Sequence, residues 1–157
     1  MEPWYEVVEP RDEVWQGRSF NPDEFAIHLE QVVNGKAPED YREPEKFFAR
    51  TCFTLALREN VELVLRRLSG ETANSAPVLT LIIQFGGGKT HTLTTLFRLA
   101  RGPEKALADA HVANLLSQAQ IRSLPEARVA VFVGNAWDPT ETRENAVDRY
   151  RAAIGRR

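Results

Sequence analysis

A single cysteine, Cys52, in 157 residues leaves no internal disulfide to be made. No apolar run approaches the roughly 18 residues needed to cross a bilayer, and Met1-Glu2-Pro3-Trp4-Tyr5-Glu6 lacks the basic and apolar parts of a signal peptide. Charge of one sign is missing as well. The 20 Lys and Arg face 22 Asp and Glu, a balance that makes neither nucleic acid nor a membrane surface the default partner. His28 and His111 stand alone, without the spacing of metal ligands. No Gly-x-Ser-x-Gly, cysteine pair or His-Glu helix motif offers a rival chemistry. The expectation is a cytoplasmic globular protein: 43% hydrophobic, 27% charged, mean hydropathy −0.37, and long enough to bury a core.

The charge that is present is unevenly placed. Residues 1–50 carry 12 Asp and Glu against 6 Lys and Arg, whereas residues 51–157 carry 10 against 14, so an anionic ligand belongs in the second part. The first 20 residues mix Trp4, Tyr5, Trp15 and Phe20 with proline and charge, and read as an irregular arm packed by its aromatics. Asn21-Pro22-Asp23-Glu24 is a helix start, and the helix is expected to stop at Gly35. A second helix is predicted from Pro44 to Ser69 with Gly70 as its stop; Phe48, Cys52, Leu55, Val61, Val64, Leu65 and Leu68 form its apolar face. Residues 71–77 are a polar connector. The expected division is an N-terminal arm and helical region, 1–77, followed by a nucleotide-binding core, 78–157.

The expected fold class is α/β, the start of a parallel sheet preceded by two helices. Val78-Leu79-Thr80-Leu81-Ile82-Ile83 and Val129-Ala130-Val131-Phe132-Val133 read as two buried strands. Between them Leu93, Leu96, Phe97 and Ala100 share one helical face, a further helical stretch runs from Glu104 to about Gln118, and a right-handed crossover joins the strands. Gln84-Phe85-Gly86-Gly87-Gly88-Lys89-Thr90 lies where the first strand meets its helix. Glycines there let backbone N–H groups converge on anionic oxygens, a helix start adds partial positive charge, lysine reaches terminal phosphates and the Thr90 hydroxyl coordinates magnesium. Ile83 stands where the usual phosphate loop has its first glycine. The bland alternative is a glycine-rich turn with an exposed lysine.

Phe85-Gly86-Gly87-Gly88-Lys89-Thr90-His91 resembles the P-loop of a family of large prokaryotic predicted ATPases of the AAA+ type, carried as a domain of unknown function. Its members also lack the leading glycine. The resemblance extends to Pro3-Trp4, to Tyr41-Arg42-Glu43-Pro44, to Phe47-Phe48-Ala49-Arg50-Thr51 and to Val131-Phe132-Val133-Gly134, and covers roughly residues 1–141. It implies ATP and Mg2+ as cofactors, with Phe85, Gly86, Gly87, Gly88, Lys89, Thr90 and His91 around the nucleotide and Thr90 on the metal. It also implies ATP hydrolysis in a longer protein, genomic company with DNA methyltransferases in suspected phage-defence clusters, and self-association or other defence-system proteins as partners.

Some roles stay open at this point. His91 either touches nucleotide or a neighbouring subunit, or is an ordinary first-turn residue; Phe85 either shields phosphates or packs. Turnover by such enzymes needs an acid at a strand tip, but the second strand ends Val133-Gly134-Asn135, and Asp138 beside Pro139 reads as a helix cap rather than a magnesium ligand. The chain alone is therefore expected to bind without turnover. The alternative is a non-enzymatic interaction module with a degenerate or incomplete nucleotide site.

Overall fold

Proline opens several of the helices. A computed structural model describes residues 3–10, 12–19, 27–82, 84, 86–124 and 127–131. Pro38 precedes α4 (Glu39–Arg42), and α5 (Pro44–Ala49) and α8 (Pro103–Leu107) begin on proline, where its missing N–H costs nothing and its fixed φ suits a helix. The single-turn α1 (Trp4–Val7) and α2 (Asp12–Trp15) come first, followed by α3 (Leu29–Val33), which ends at Asn34 and Gly35 as expected but begins only after an extended His28; the expected start at 21–24 lies outside the described residues. The described aromatics of the arm do not pack it: Trp4, Tyr5 and Trp15 are 75%, 64% and 74% exposed, and Trp4 meets Tyr5 edge to face at 5.9 Å; Phe20 lies outside the described residues.

The helix predicted over 44–69 is two helices. Thr51-Cys52-Phe53-Thr54 are all middling helix formers. The Thr51 hydroxyl donates to the Phe47 carbonyl at 2.7 Å, and Thr54 accepts from the Leu57 N–H at 3.3 Å to cap α6 (Leu55–Leu68). Cys52 therefore sits exposed in a link rather than in the core, and Leu55, at the outset of α6, is exposed as well. The end of α6 is as expected: the Gly70 N–H donates to Arg67 C=O and the Glu71 N–H to Arg66 C=O, the paired bonds that close a helix at glycine. The connector is tied back, since Arg66 bridges Glu62 and Glu71, the Ser75 hydroxyl donates to Glu71 C=O, and the Ala76 N–H to Leu63 C=O.

Phe47 and Phe48 of α5 and Leu57, Val61 and Leu65 of α6 join Leu99 of α7 (Lys89–Arg101), Ala106 of α8, and Val112, Leu115 and Leu116 of α9 (Ala110–Gln118) in one core cluster. It draws on residues from both sides of position 77. Each large apolar side chain buried there is worth about 1.5–3 kcal/mol, which outweighs the tenths of a kcal/mol that β-branched Val61 and Val112 cost a helix. The stretch expected as one helix from Glu104 to Gln118 divides at Asp109, whose side chain caps α9 by accepting from His111 and Val112 N–H.

Among the described residues there is no β-strand, which overturns the α/β fold class and its parallel sheet. Val78 and Ile82 are 78% and 90% exposed. A β-branched run becomes a buried strand where a neighbouring strand takes up its backbone groups and both faces are covered; among the described residues no strand pairs with 78–82, and of its side chains only Leu79 and Leu81, on one face, are partly buried. Residues 127–131 run against helices instead, and the Ala127 N–H donates to Ala100 C=O at 2.8 Å at the end of α7. Ile83, Phe132, Val133 and the helix expected from Asp138 lie outside the described residues.

α7 has two inward faces. Its most buried side, with Thr92, Thr95 and Leu99, lies against the helical core. Hydroxyls can be buried there because Thr92 and Thr95 donate to the carbonyls four residues back, Gly88 at 3.0 Å and His91 at 2.9 Å. The expected apolar face, Leu93, Leu96, Phe97 and Ala100, lines a groove of about 510 Å³ with Val64 and Leu68 of α6, Leu29 and residues 127–131.

Candidate functional site

The site grows from glycine conformation. Gly86 and Gly88 have φ of +82° and +81°, the left-handed region that side chains with a Cβ rarely adopt. The Gln84 carbonyl accepts from the Gly87 N–H at 3.1 Å, closing a turn whose third residue is Gly86, the place where a turn of this kind requires positive φ. Gly88 then delivers the chain into α7, and its carbonyl accepts the Thr92 N–H at 2.9 Å. The described glycines of the loop are exposed. Phe85 lies outside the described residues.

Lys89 and Thr90 are the first two residues of α7. The Lys89 ammonium donates to the same Gln84 carbonyl at 2.9 Å, so its charge is folded over the loop. Thr90 is half-buried. The first N–H groups of any helix lack intrahelical acceptors. At α6 and α9 the side chains of Thr54 and Asp109 supply them, but at α7 no side chain among the described residues does.

His91 turns from the loop toward α5. Its ring lies 4.9 Å from that of Phe47 with 36° between planes, and Nε2 is 3.2 Å from Thr51 Oγ1. Burial holds its imidazole below the ordinary histidine value. Thr51, buried just after α5, belongs to this site although the sequence marks it only as part of the family resemblance and gives it no role; forty residues separate the pair, and no local pattern joins them.

The DUF499 N-terminal domain model matches residues 5–133. The chain belongs to the DUF499 family. Neither a curated protein nor a solved structure matches it. The DUF499 match contains the loop, the Thr51–His91 contact and the groove, and all residues past Val131 lie outside the described ones.

Arg98 lies further along α7 in the same DUF499 region. One of its Nη2 hydrogens goes to the Tyr41 carbonyl, its guanidinium carbon stands 5.8 Å from the Phe97 ring centre, and its Nε is buried with no hydrogen-bond partner among the described residues. Burial pulls its pKa down and the charge of Glu43 pulls it up, and the group stays cationic in either case. Its bond to the Tyr41 carbonyl ties α4 to α7. Among the described residues no three His, Cys, Asp or Glu side chains gather to hold a metal ion, and no helix is long and apolar enough to cross a membrane.

Proposed function

We propose that the chain binds ATP with magnesium through the loop at Gly86, Gly87 and Gly88 and the first turn of α7. The observation that carries this reading is the loop's own geometry: two left-handed glycines, a helix start that no described side chain caps and a lysine folded back onto the Gln84 carbonyl. Exposed backbone N–H groups and a helix start favour anionic oxygens. Lys89 exchanges a neutral carbonyl for a charged phosphate, so that its ammonium gains an ion pair in place of a bond to an uncharged oxygen. Thr90 is the hydroxyl for magnesium. Membership of DUF499 is consistent with this, and the ATPase context, the link to DNA modification or phage defence, and self-association or defence-system proteins as partners are part of the proposal rather than of the family match.

Hydrolysis needs a carboxylate to hold magnesium or polarise water. Asp138 lies outside the described residues, so the reading stops at binding. The exposed Trp4, Tyr5 and Trp15 favour the second reading, an interaction module with an incomplete nucleotide site. Calorimetric titration with Mg-ATP of the wild type and Lys89→Ala separates the two. Loss of a charge-assisted bond worth about 1.5–3 kcal/mol weakens binding by about tenfold to a hundredfold; equal affinity in the two proteins contradicts the assignment.

A further inference from the structure

The hydroxyl of Thr51 has one hydrogen, and it is committed to the Phe47 carbonyl at 2.7 Å. Toward His91, 3.2 Å away, Thr51 Oγ1 therefore offers lone pairs alone. The donor must be His91 Nε2, which fixes the neutral tautomer with hydrogen on Nε2 and none on Nδ1. The other faces of the contact are equally determined. The imidazole lies against the buried ring of Phe47, and the His91 carbonyl receives the Thr95 hydroxyl at 2.9 Å.

His91 is the third residue of α7, after Lys89 and Thr90. These three share the turn whose N–H groups have no acceptor within the helix. A side chain fixed at the third position sets the rotation at which the first two face the loop.

We propose that Thr51 and His91 form a positioning pair for the phosphate loop, in which the imidazole leaves the nucleotide untouched and aims Lys89 and Thr90 through its hydrogen bond to Thr51. The inference rests on the nucleotide-binding reading and deepens it: α5 and the link after it become the support of the loop. It also explains why residues as distant in sequence as Thr51 and His91 are brought together at the one helix start that carries the lysine.

Two measurements test the pair. In long-range proton–nitrogen spectra at pH 8, where the ring is neutral, His91 shows hydrogen on Nε2, its signals being assigned by their loss in His91→Gln. Hydrogen on Nδ1 overturns the pair at once. Mg-ATP titration then reads its effect. Thr51→Val and His91→Phe, which keep the branched shape and the ring stack, each weaken binding by about threefold to tenfold, as loss of one hydrogen bond implies. The double variant is no weaker than either single one, and His91→Gln, whose amide N–H reaches the same acceptor, retains wild-type affinity within about twofold. Wild-type affinity in Thr51→Val and His91→Phe, with lowered melting temperatures, would reduce the contact to a structural bond. A silent Thr51→Val beside a damaging His91→Gln would place the imidazole on the nucleotide. If the wild type keeps the Nε2–H tautomer and binds no Mg-ATP, the phosphate reading falls and takes the positioning role with it.

Discussion

Thr94 has the least satisfied hydroxyl on α7. Thr92 and Thr95, its neighbours on that helix, spend theirs on carbonyls one turn back, whereas Thr94 is 0% exposed and its Oγ1 has no partner among the described residues. An unpartnered buried hydroxyl costs roughly 1–3 kcal/mol. Thr94→Val keeps the branched shape and removes the hydroxyl, so urea unfolding should show a gain of about 1 kcal/mol with Mg-ATP affinity unchanged. A less stable variant would mean that the hydroxyl is bonded in solution. At this scale the loop was the most legible feature, because Gly86, Gly87, Gly88, Lys89 and Thr90 are contiguous and their chemistry is local. The threonine face of α7 was not legible: an apolar stripe stood out at Leu93, Leu96, Phe97 and Ala100, and a threonine gives no sign in sequence that its hydroxyl will be spent on its own helix. Cys52 was misplaced for a related reason, since helical spacing continued across a link that two side-chain hydroxyls break.

Helix ends divide according to whether glycine marks them. Gly35 and Gly70 announced their stops, and the bonds found at both are those of a glycine-closed helix. The end of α9 has the same bonds, with the Ile121 N–H on Leu116 C=O and the Gln120 N–H on Ser117 C=O, but here the left-handed residue is Gln120, with φ of 57°. A side chain in that region costs about 1 kcal/mol relative to glycine. Gln120→Gly should therefore raise the stability of the chain by about that amount in chemical denaturation, while Gln120→Val lowers it. If both variants match the wild type, α9 does not end in this conformation in solution. Thr54 and Asp109 show the converse at helix starts: each is a good cap by residue type, yet each sat inside a longer apolar periodicity that concealed the break.

For the whole molecule, what a short window of sequence carries was recoverable and what depends on distant partners was not. Five helices meet in one cluster built from Phe47 to Ile121, and their apolar spacing was visible before the fold was. The expected sheet depended on pairing between two runs about fifty residues apart, and the pairing is absent among the described residues; Val78 and Ile82 of the first run remain exposed and 127–131 lie along the groove beside α7. Two places on α7 thus compete as ligand sites, the glycine loop at its start and the apolar groove along its side. Backbone amide spectra of the nitrogen-15-labelled protein, titrated with Mg-ATP, tell them apart. The account predicts the largest shifts at the amides of Gly86, Gly87, Gly88, Lys89 and Thr90, with Val64, Leu68 and Phe97 unmoved; shifts centred on those groove residues, or a loop whose amides do not move at saturating nucleotide, would contradict it.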